Sequence, residues 1–367
     1  MNQHELEQFW SEDEKAHENN CFNNAPQAPL GIRMSDECVF AELGEPGNPW
    51  DETPRERRIE LNKRYNDKAE KIVGKRLLQE DFLPDDARFP YVKRIGEVFG
   101  SKYIMHNHTE WLCDCIHSEE ELEQTLDRVE KMDLRAFMYP DNWESEKKRI
   151  FEQYGLRPRP NHHIRGPVTL ACSLMDTTNF LYFMMDESEL AERFSAVIAD
   201  TIIRMAEIQD EEAGFQPGEN RGFSFADDNC CLMTPDMYEL FGYPVLKKVF
   251  GHFAPDPEDK RYQHSDSDMA HILPFLGKLN LNGCNFGPNV LTPEIRKYLP
   301  NCRIDGCIAP LTFMRNETEE LKKQLLRDIH DHFEFGGVNI STAGSINNGS
   351  SLESMRLMMD ILWDNHR

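Results

Sequence analysis

Short β-rich segments alternate with longer amphipathic segments along the second half of the chain, from Gly166 onward. Alternation of this kind is typical of parallel βα units. The segments that predict strands are GPVTLAC, GFSFADD, KRYQHSD, LNGCNF, CRIDGCIAP and GGVNISTA. Helix-start signals follow some of them, such as Thr234 with Pro235 and Thr292 with Pro293. The pattern therefore predicts six βα units between Gly166 and the end of the chain.

A further strand candidate, SKYIMHN (101–107), lies in the first half, and we expect eight βα units that close into a barrel. An open, doubly wound sheet is the competing arrangement, but no GxGxxG or GxxxxGK[ST] segment follows a predicted strand. The predicted fold is therefore an α/β (β/α)8 TIM barrel. Residues 1–60 show little periodicity and are predicted to form an irregular N-terminal cap on a single catalytic barrel domain, 61–367. The charged segment 55–80 predicts a surface helix with a narrow buried stripe.

The charge of the chain excludes some classes of partner. Asp and Glu total 65 against 41 Lys and Arg, which gives a formal net charge of -24. Such a charge repels phosphate backbones and anionic lipid surfaces, so neither nucleic acid nor a membrane is expected as a partner. The longest apolar run, 180–185, is too short to cross a bilayer, and we expect a cytoplasmic protein. The ten cysteines are then expected to be reduced thiols.

Polar side chains cluster where the predicted barrel strands end. They are Asp227, Asp228, His264, Asp266, Cys284 and Cys307. In a TIM barrel the chemistry takes place at the carboxyl ends of the strands, so these residues are expected to face one cavity. Two structural alternatives stay open, because free cysteines are often simply buried and the paired acids could cap a turn or pair with an arginine.

From Gly166 onward, the order of motifs resembles the uroporphyrinogen decarboxylase superfamily, in particular its branch of corrinoid-dependent methyltransferases. GPVTLACSLMDTTNFLYFMMDESELAERF is similar to the family's Gly-Pro-apolar strand, loop and helix. GFSFADDNCCLMTPDMYELFGYPVLKKVF is similar to its strand that ends in paired acids and is followed by Thr-Pro and a helix. YQHSDSD stands where methyltransferase relatives have a His-x-Cys metal motif, CRIDGCIAP stands at the Gly-Asn-x-x-Pro strand, and GGVNISTAGSINNGSSLESM resembles the closing segment.

Two features depart from the family pattern. The decarboxylases carry an Arg-Gln-Ala-Gly-Arg motif that grips propionate groups, and its absence here disfavours a four-carboxylate tetrapyrrole, as does the negative charge. Relatives that activate thiols bind zinc through one His and two Cys. Here Asp266 occupies the second position of that motif, and Ala343-Gly344 stand where the last Cys would fall. Relatives that act on methyl ethers mix carboxylate, His and Cys ligands, so the change indicates a different substrate.

The resemblance implies the methyltransferase component of an O-demethylase system. Zinc, or another divalent metal, would be bound by His264, Cys307 and one of Cys284, Asp266 or Asp228, with an open position for the substrate. The metal would polarise the oxygen of a small methoxylated substrate, with a phenyl methyl ether as the leading candidate. The methyl group would pass to cobalt(I) of the cobalamin carried by a separate corrinoid protein. One acid, Asp227 or Asp228, would protonate the leaving oxygen.

The sequence also offers candidate residues for the substrate pocket and leaves two alternative functions open. Phe180, Tyr182 and His106 are the candidate substrate-binding residues, the aromatic pair in the loop expected after GPVTLAC. A metal-independent decarboxylase or lyase that acts on a small carboxylic acid is the alternative enzyme class, because the metal motif is altered. A non-catalytic binding component is the third option. Barrel relatives often pair, so a homodimer is compatible with the sequence.

Overall fold

The computed structural model describes all 367 residues, Met1–Arg367. The strands are β1 (Tyr103–His106), β2 (Thr109–Leu112), β3 (His163–Arg165), β4 (Phe223–Ala226), β5 (Arg261–Ser265), β6 (Gly283–Phe286), β7 (Arg303–Ile308) and β8 (Val338–Thr342). The α-helices are α1 (Gln3–Ala16), α2 (Val39–Leu43), α3 (Arg55–Val73), α4 (Ile95–Val98), α5 (Glu119–Glu130), α6 (Leu134–Met138), α7 (Trp143–Tyr154), α8 (Pro167–Met175), α9 (Thr177–Asp186), α10 (Ser188–Ala213), α11 (Pro235–Leu240), α12 (Gly242–Phe253), α13 (Leu273–Gly277), α14 (Thr292–Arg296), α15 (Pro310–Met314), α16 (Thr318–Phe335) and α17 (Leu352–Asp364). Short 3-10 turns lie at Glu18–Cys21, Asp36–Cys38, Asp85–Ala87, Asp228–Leu232 and Ala270–Ile272. No helix combines the length and the apolar character that crossing a bilayer requires.

Six of the strands, β3 to β8, form a parallel sheet in chain order, whereas β1 and β2 form a separate antiparallel hairpin. Five predicted strand segments are confirmed, because GFSFADD, KRYQHSD, LNGCNF, CRIDGCIAP and GGVNISTA contain β4 to β8. SKYIMHN forms β1, but it belongs to the hairpin and not to the parallel sheet. This segment pairs with its neighbour β2 because Asn107 and His108 form a tight turn between the two strands. These two residues adopt positive φ angles of 48° and 62°, as in the two-residue turns that antiparallel hairpins favour.

The predicted strand GPVTLAC is wrong, because these residues begin helix α8. The strand of this βα unit is the short β3, which ends just before Gly166. Pro167 stands in the first turn of α8, where proline favours a helix start, and the Asp227 carboxylate accepts a hydrogen bond of 2.7 Å from the Thr169 amide. A short apolar run that is buried on all sides looks the same in a strand and in a helix, so its periodicity does not separate them.

The chain forms two compact units, each made of separate stretches of sequence. The first, which we call the terminal unit, contains residues 1–82, 265–270 and 282–367. Its apolar core joins the early helices to the late elements, and it includes Leu6, Phe9, Leu61, Tyr65, Val338, Ile340, Met355 and Met358. Leu30 also forms a parallel bridge to Ile340 of β8. Residues 3–16, expected to be irregular, form the helix α1, and the early segment therefore contributes directly to the core of this unit.

His332 of α16 is expected to make the terminal unit less stable in mild acid. Its imidazole is buried, and its Nδ1 lies 2.8 Å from the carbonyl oxygen of Val338. Burial lowers the pKa of His332 below its ordinary value of 6.5. The unfolded chain then binds the proton more readily than the folded protein does. The free energy of unfolding therefore has its full value above pH 6.5, where both states are unprotonated, and decreases as the pH falls towards the folded-state pKa. The slope is at most about 1.4 kcal/mol per pH unit.

Urea unfolding of the wild-type protein and of His332→Gln, measured between about pH 7 and pH 5, checks this prediction. Glutamine keeps a donor for the Val338 carbonyl but does not titrate in this range. The wild-type protein should lose stability relative to the variant as the pH falls. A constant difference between the two proteins across that range would contradict the prediction.

The second unit, which we call the central unit, contains residues 83–264 and 271–281. One face of its strand β4 packs on helix α12 through aromatic side chains. Phe223 stacks on Phe253 with ring centroids 5.3 Å apart, and Phe225 meets Phe250 edge-on at 5.4 Å. Because side chains alternate along a strand, Ala226 points to the opposite face of β4. That face is therefore turned away from α12.

The strand register of the central unit brings three residues side by side. Arg165 of β3 pairs with Ala226 of β4, and Ala226 pairs with His264 of β5. Residues that are directly opposite each other in neighbouring parallel strands project from the same face of the sheet. Arg165, Ala226 and His264 thus share the face that is turned away from α12, at the carboxyl ends of their strands.

Candidate functional site

A histidine and an aspartate meet where β4 and β5 of the central unit end. The two residues after β4 are Asp227 and Asp228, and the Asp227 amide donates a hydrogen bond of 2.9 Å to the carbonyl oxygen of His264. This bond continues the pairing of the two strands past Ala226. It leaves His264 Nε2 and Asp228 Oδ1 4.0 Å apart. Both side chains stay accessible, with 25% of the His264 side chain and 46% of the Asp228 side chain exposed.

Asp266 follows His264 by two residues and completes a group of three possible ligands. One ligand atom of Asp228, one of His264 and one of Asp266 all lie within 4.8 Å of one another. An imidazole nitrogen with two carboxylate oxygens is a donor set that zinc and other divalent metals accept. Three protein ligands also leave a coordination position for a substrate. The residues present therefore fit a catalytic divalent metal, and they combine His264 and Asp266 with Asp228.

Asp227 has a different environment from its neighbour. Its side chain is fully buried, and its carboxylate accepts hydrogen bonds from the Thr169 amide at 2.7 Å and the Val168 amide at 3.5 Å. Burial raises the pKa of Asp227 to about 6, although these two amides oppose the shift. The carboxylate lies at the N-terminus of α8, where amide groups favour an acceptor. In this position Asp227 holds α8 against the end of β4.

Gly166 makes the contact between α8 and Asp227 possible. A Cβ atom at residue 166 would lie 2.2 Å from Cβ and 2.3 Å from Cγ of Asp227. The φ angle of Gly166 is -66°, which any residue can adopt, so the requirement for glycine here is one of space. The Gly-Pro pair of the sequence therefore sets the distance between α8 and the end of β4.

Cys307 and Cys284, predicted as metal ligands, lie among other residues of the terminal unit. Cys307 is buried, and its Sγ is 3.7 Å from the Val290 carbonyl oxygen. Burial raises the pKa of the Cys307 thiol to about 12. Cys284 is fully buried too, and its pKa is raised by burial and by its neighbour Cys302. Neither thiol belongs to the group formed by Asp228, His264 and Asp266, and the proposed role of the two cysteines stays a prediction.

The three predicted substrate-binding residues lie in unlike places within the central unit. Phe180 is fully buried and meets Phe241 edge-on, with ring centroids 5.0 Å apart, so it is a core residue of α9. Tyr182 of the same helix is 65% exposed. His106 ends β1 and is exposed beside Asn107 at the tip of the hairpin. The structure thus does not group these three residues into one pocket.

Arg165 is the residue at the strand ends that the sequence prediction left out. It lies beside Ala226 and in line with His264, as the strand register shows. Its signal was present in the sequence as a charged residue directly before Gly166-Pro167, within the segment HHIRGPVTLAC. The sequence analysis missed Arg165 because it assigned a strand to GPVTLAC. Arg165 then stood before the predicted strand, whereas in the structure it is the last residue of β3.

Comparisons with known proteins place the chain in a family. A solved structure described as a methyltransferase from Methanosarcina mazei matches with a TM-score of 0.52 and 16% sequence identity, covering 88% of this chain and 96% of that chain. Identity at this level shows a shared fold alone. No curated protein matches the chain. The family model for uroporphyrinogen decarboxylase (URO-D) matches residues 163–363, which is more than half of the 367 residues. The chain therefore belongs to the uroporphyrinogen decarboxylase family, and its fold is the (β/α)8 barrel that the sequence predicted.

Proposed function

We propose that the protein is a methyltransferase that takes the methyl group from a small methoxylated donor and passes it to the cobalt of a separate corrinoid protein. The observation that carries the proposal is the group of Asp228, His264 and Asp266. Asp228 and His264 lie where β4 and β5 end, which is the catalytic end of a (β/α)8 barrel. The methyltransferase activity of the similar Methanosarcina structure is carried over as part of this proposal.

Asp228, His264 and Asp266 would hold the divalent metal, for which zinc is the first choice. When bound, such a metal supplies Lewis acidity, which polarises the ether oxygen and stabilises the negative charge that develops on it. His264 contributes a neutral imidazole nitrogen, and the two aspartates contribute negative oxygens. This proposed set differs from the one that the sequence favoured, His264, Cys307 and one of Cys284, Asp266 or Asp228, because it contains no cysteine.

The remaining residues of the site position these ligands. The hydrogen bond from the Asp227 amide to the His264 carbonyl fixes the backbone of one ligand against that of its neighbour, Asp228. The Asp227 carboxylate holds α8 in place, so it acts as a positioning residue. In the proposed reaction the carbon–oxygen bond of the ether would break with its electron pair left on the oxygen, and cobalt(I) of the partner would supply the electron pair of the new bond to the methyl carbon, so that cobalt becomes formally cobalt(III). Protonation of the leaving oxygen by Asp228 would compete with metal binding by the same carboxylate.

The test combines a metal measurement with a methyl-transfer assay. Purified protein is loaded with zinc, and chemically reduced cobalamin is supplied with anisole, a methoxyphenol or a methoxybenzoate. We expect one bound metal per chain and formation of methylcobalamin, followed by its absorbance, with loss of the activity after chelation. Failure of every donor to methylate cobalamin above the protein-free rate would overturn the proposal. Release of carbon dioxide from a small carboxylic acid, catalysed by chelator-treated protein, would instead support the decarboxylase alternative.

A further inference from the structure

The carboxylate of Asp266 packs against a residue that has no side chain. A Cβ atom at Gly344 would lie 2.8 Å from Asp266 Oδ1, 2.9 Å from Cγ and 3.0 Å from Oδ2. Because these three distances are nearly equal, the missing Cβ would stand over the flat face of the carboxylate and not beside its oxygens. The lone pairs of such oxygens lie close to the plane of the group. Packing on Gly344 therefore does not occupy the directions in which Asp266 would bind a metal.

Hydrogen bonds fix the loop that carries Gly344 after β8. Thr342 Oγ1 donates a hydrogen bond of 2.7 Å to the Gly344 carbonyl, and the Ala343 amide donates one of 2.7 Å to the Ile308 carbonyl of β7. Asn285 Nδ2 of β6 donates a hydrogen bond of 3.0 Å to the Thr342 carbonyl. The wall that Gly344 forms is thus tied to β6, β7 and β8 within the terminal unit.

A second glycine packs against the backbone of the segment that carries Asp266. A Cβ atom at Gly287, directly after β6, would lie 2.6 Å from the Ser267 carbonyl oxygen and 3.1 Å from the Asp266 carbonyl oxygen. Both contacts are with backbone atoms, which cannot turn aside as the end of a side chain can. Ser267 Oγ also lies 2.8 Å from Ser265 Oγ at the end of β5. Close packing on two glycines therefore limits both the backbone and the carboxylate of Asp266.

We propose that Gly344 is a positioning residue of the metal site, because its missing side chain leaves the place from which the Asp266 carboxylate reaches the metal. The inference rests on the proposed function and deepens it by naming the residue that orients one ligand. Gly344 has a φ angle of +122°, which residues with a side chain rarely adopt, so the backbone as well as the space requires glycine here.

The change Gly344→Ala is expected to move the ligand and not the loop. Asp266 is exposed, and its carboxylate is the far end of a flexible side chain, whereas the loop is tied to three strands. To reach the 3.4 Å of an ordinary contact, the carboxylate would have to move by about 0.6 Å. That movement exceeds the roughly 0.5 Å within which the groups of a binding site must be held.

The experiment measures metal binding and does not depend on methyl transfer. Zinc affinity is determined by competition with a coloured chelator, and the visible absorption of bound Co²⁺ reports the set of ligands. We expect Gly344→Ala to bind zinc about 10–100-fold more weakly than the wild-type protein, as when other groups that orient a ligand are changed. Its Co²⁺ spectrum should depart from that of the wild-type protein and approach that of Asp266→Ala.

Gly349→Ala is the matched control, because Gly349 lies in the same loop and has a similar φ angle of +105°. A Cβ atom there would meet Met314 at 3.5 Å, which is an ordinary contact. This variant carries the backbone strain without the close approach to Asp266, so it should bind zinc as the wild-type protein does. Should Gly344→Ala fail to fold, Thr342→Val, which removes the hydroxyl that holds the Gly344 carbonyl, should weaken zinc binding several-fold.

A double-mutant cycle identifies the route by which Gly344 acts. In Asp266→Ala, the added change Gly344→Ala should lower the zinc affinity no further, because the carboxylate that it displaces is already gone. An equal loss of affinity in both backgrounds would overturn the inference, as would an unchanged affinity in Gly344→Ala alone, and the methyltransferase would stand in either case. If the cycle gives the expected result but the protein methylates no cobalamin, the positioning role stands and the methyltransferase is overturned.

Discussion

Replacing His264 by alanine is expected to lower the affinity for zinc at least about 100-fold and to abolish methyl transfer. His264 supplies the only nitrogen among the three proposed ligand atoms. Changes to groups that merely support a metal ligand already cost about 10–100-fold in affinity, so removal of a ligand itself should cost at least as much. Two nearby carboxylates alone would leave the metal poorly held. Equilibrium dialysis against zinc, with the metal content determined by elemental analysis, measures the effect.

Cys307→Ala separates the two possible ligand sets. The Cys307 thiol is buried beside the Val290 carbonyl, and its replacement should leave the affinity for zinc unchanged if Asp228, His264 and Asp266 bind the metal. Loss of zinc in Cys307→Ala as well as in His264→Ala would favour the set that includes the thiol and would contradict the proposed ligand set. Circular dichroism of both variants shows whether each one is folded.

Gly166→Ala is expected to lower the free energy of unfolding by about 3 kcal/mol, which is at the upper end of the usual cost of an overpacked core. The new Cβ would lie 2.2 Å from Cβ of Asp227. Either α8 or the end of β4 must then move. Movement of α8 weakens the hydrogen bond from Thr169 to Asp227, which leaves a buried carboxylate with fewer donors. Urea unfolding, followed by tryptophan fluorescence and circular dichroism, gives the size of the loss.

Gly251→Ala is the matched control in the same unit. A Cβ atom at Gly251 would have no heavy atom within 4 Å outside its own helix, and the residue lies near the end of α12 with an ordinary φ angle. Alanine in a helix is favoured over glycine by about 0.5–1 kcal/mol, so this variant should be slightly more stable than the wild-type protein. A Gly166→Ala protein as stable as Gly251→Ala would show that the close packing at Asp227 carries no cost.

Much of the fold could be predicted from the sequence because β4 to β8 are bounded by clear helix signals. Thr234, for example, accepts a hydrogen bond from the Met237 amide at the start of α11, as the Thr-Pro pair predicted. The segment GPVTLAC failed for a physical reason, since the donors and acceptors that decide between helix and strand come from elsewhere in the chain. In this case the deciding acceptor is Asp227, which lies 58 residues beyond Thr169.

That the candidate residues form a functional site stays a prediction, but their proximity can be compared with the sequence. The end of a strand marked His264, Asp266 and Asp228 as candidates, and these three do lie together. The spacing of residues could not show that the two adjacent acids have different environments. Asp227 is fully buried against α8, whereas Asp228 is exposed to solvent beside His264. Burial and partner choice depend on packing, which a single sequence does not display.

The composition of the terminal unit sets the order in which the protein can fold during synthesis. Helices α1 and α3 leave the ribosome early, yet their core partners in β8 and α17 begin only at Val338 and Leu352. At about 5–20 residues per second, the apolar sides of the nascent helices stay uncovered for on the order of ten seconds to a minute. We therefore expect the newly made amino-terminal segment to depend on holding chaperones until the late elements are made, and slower translation should lengthen that period.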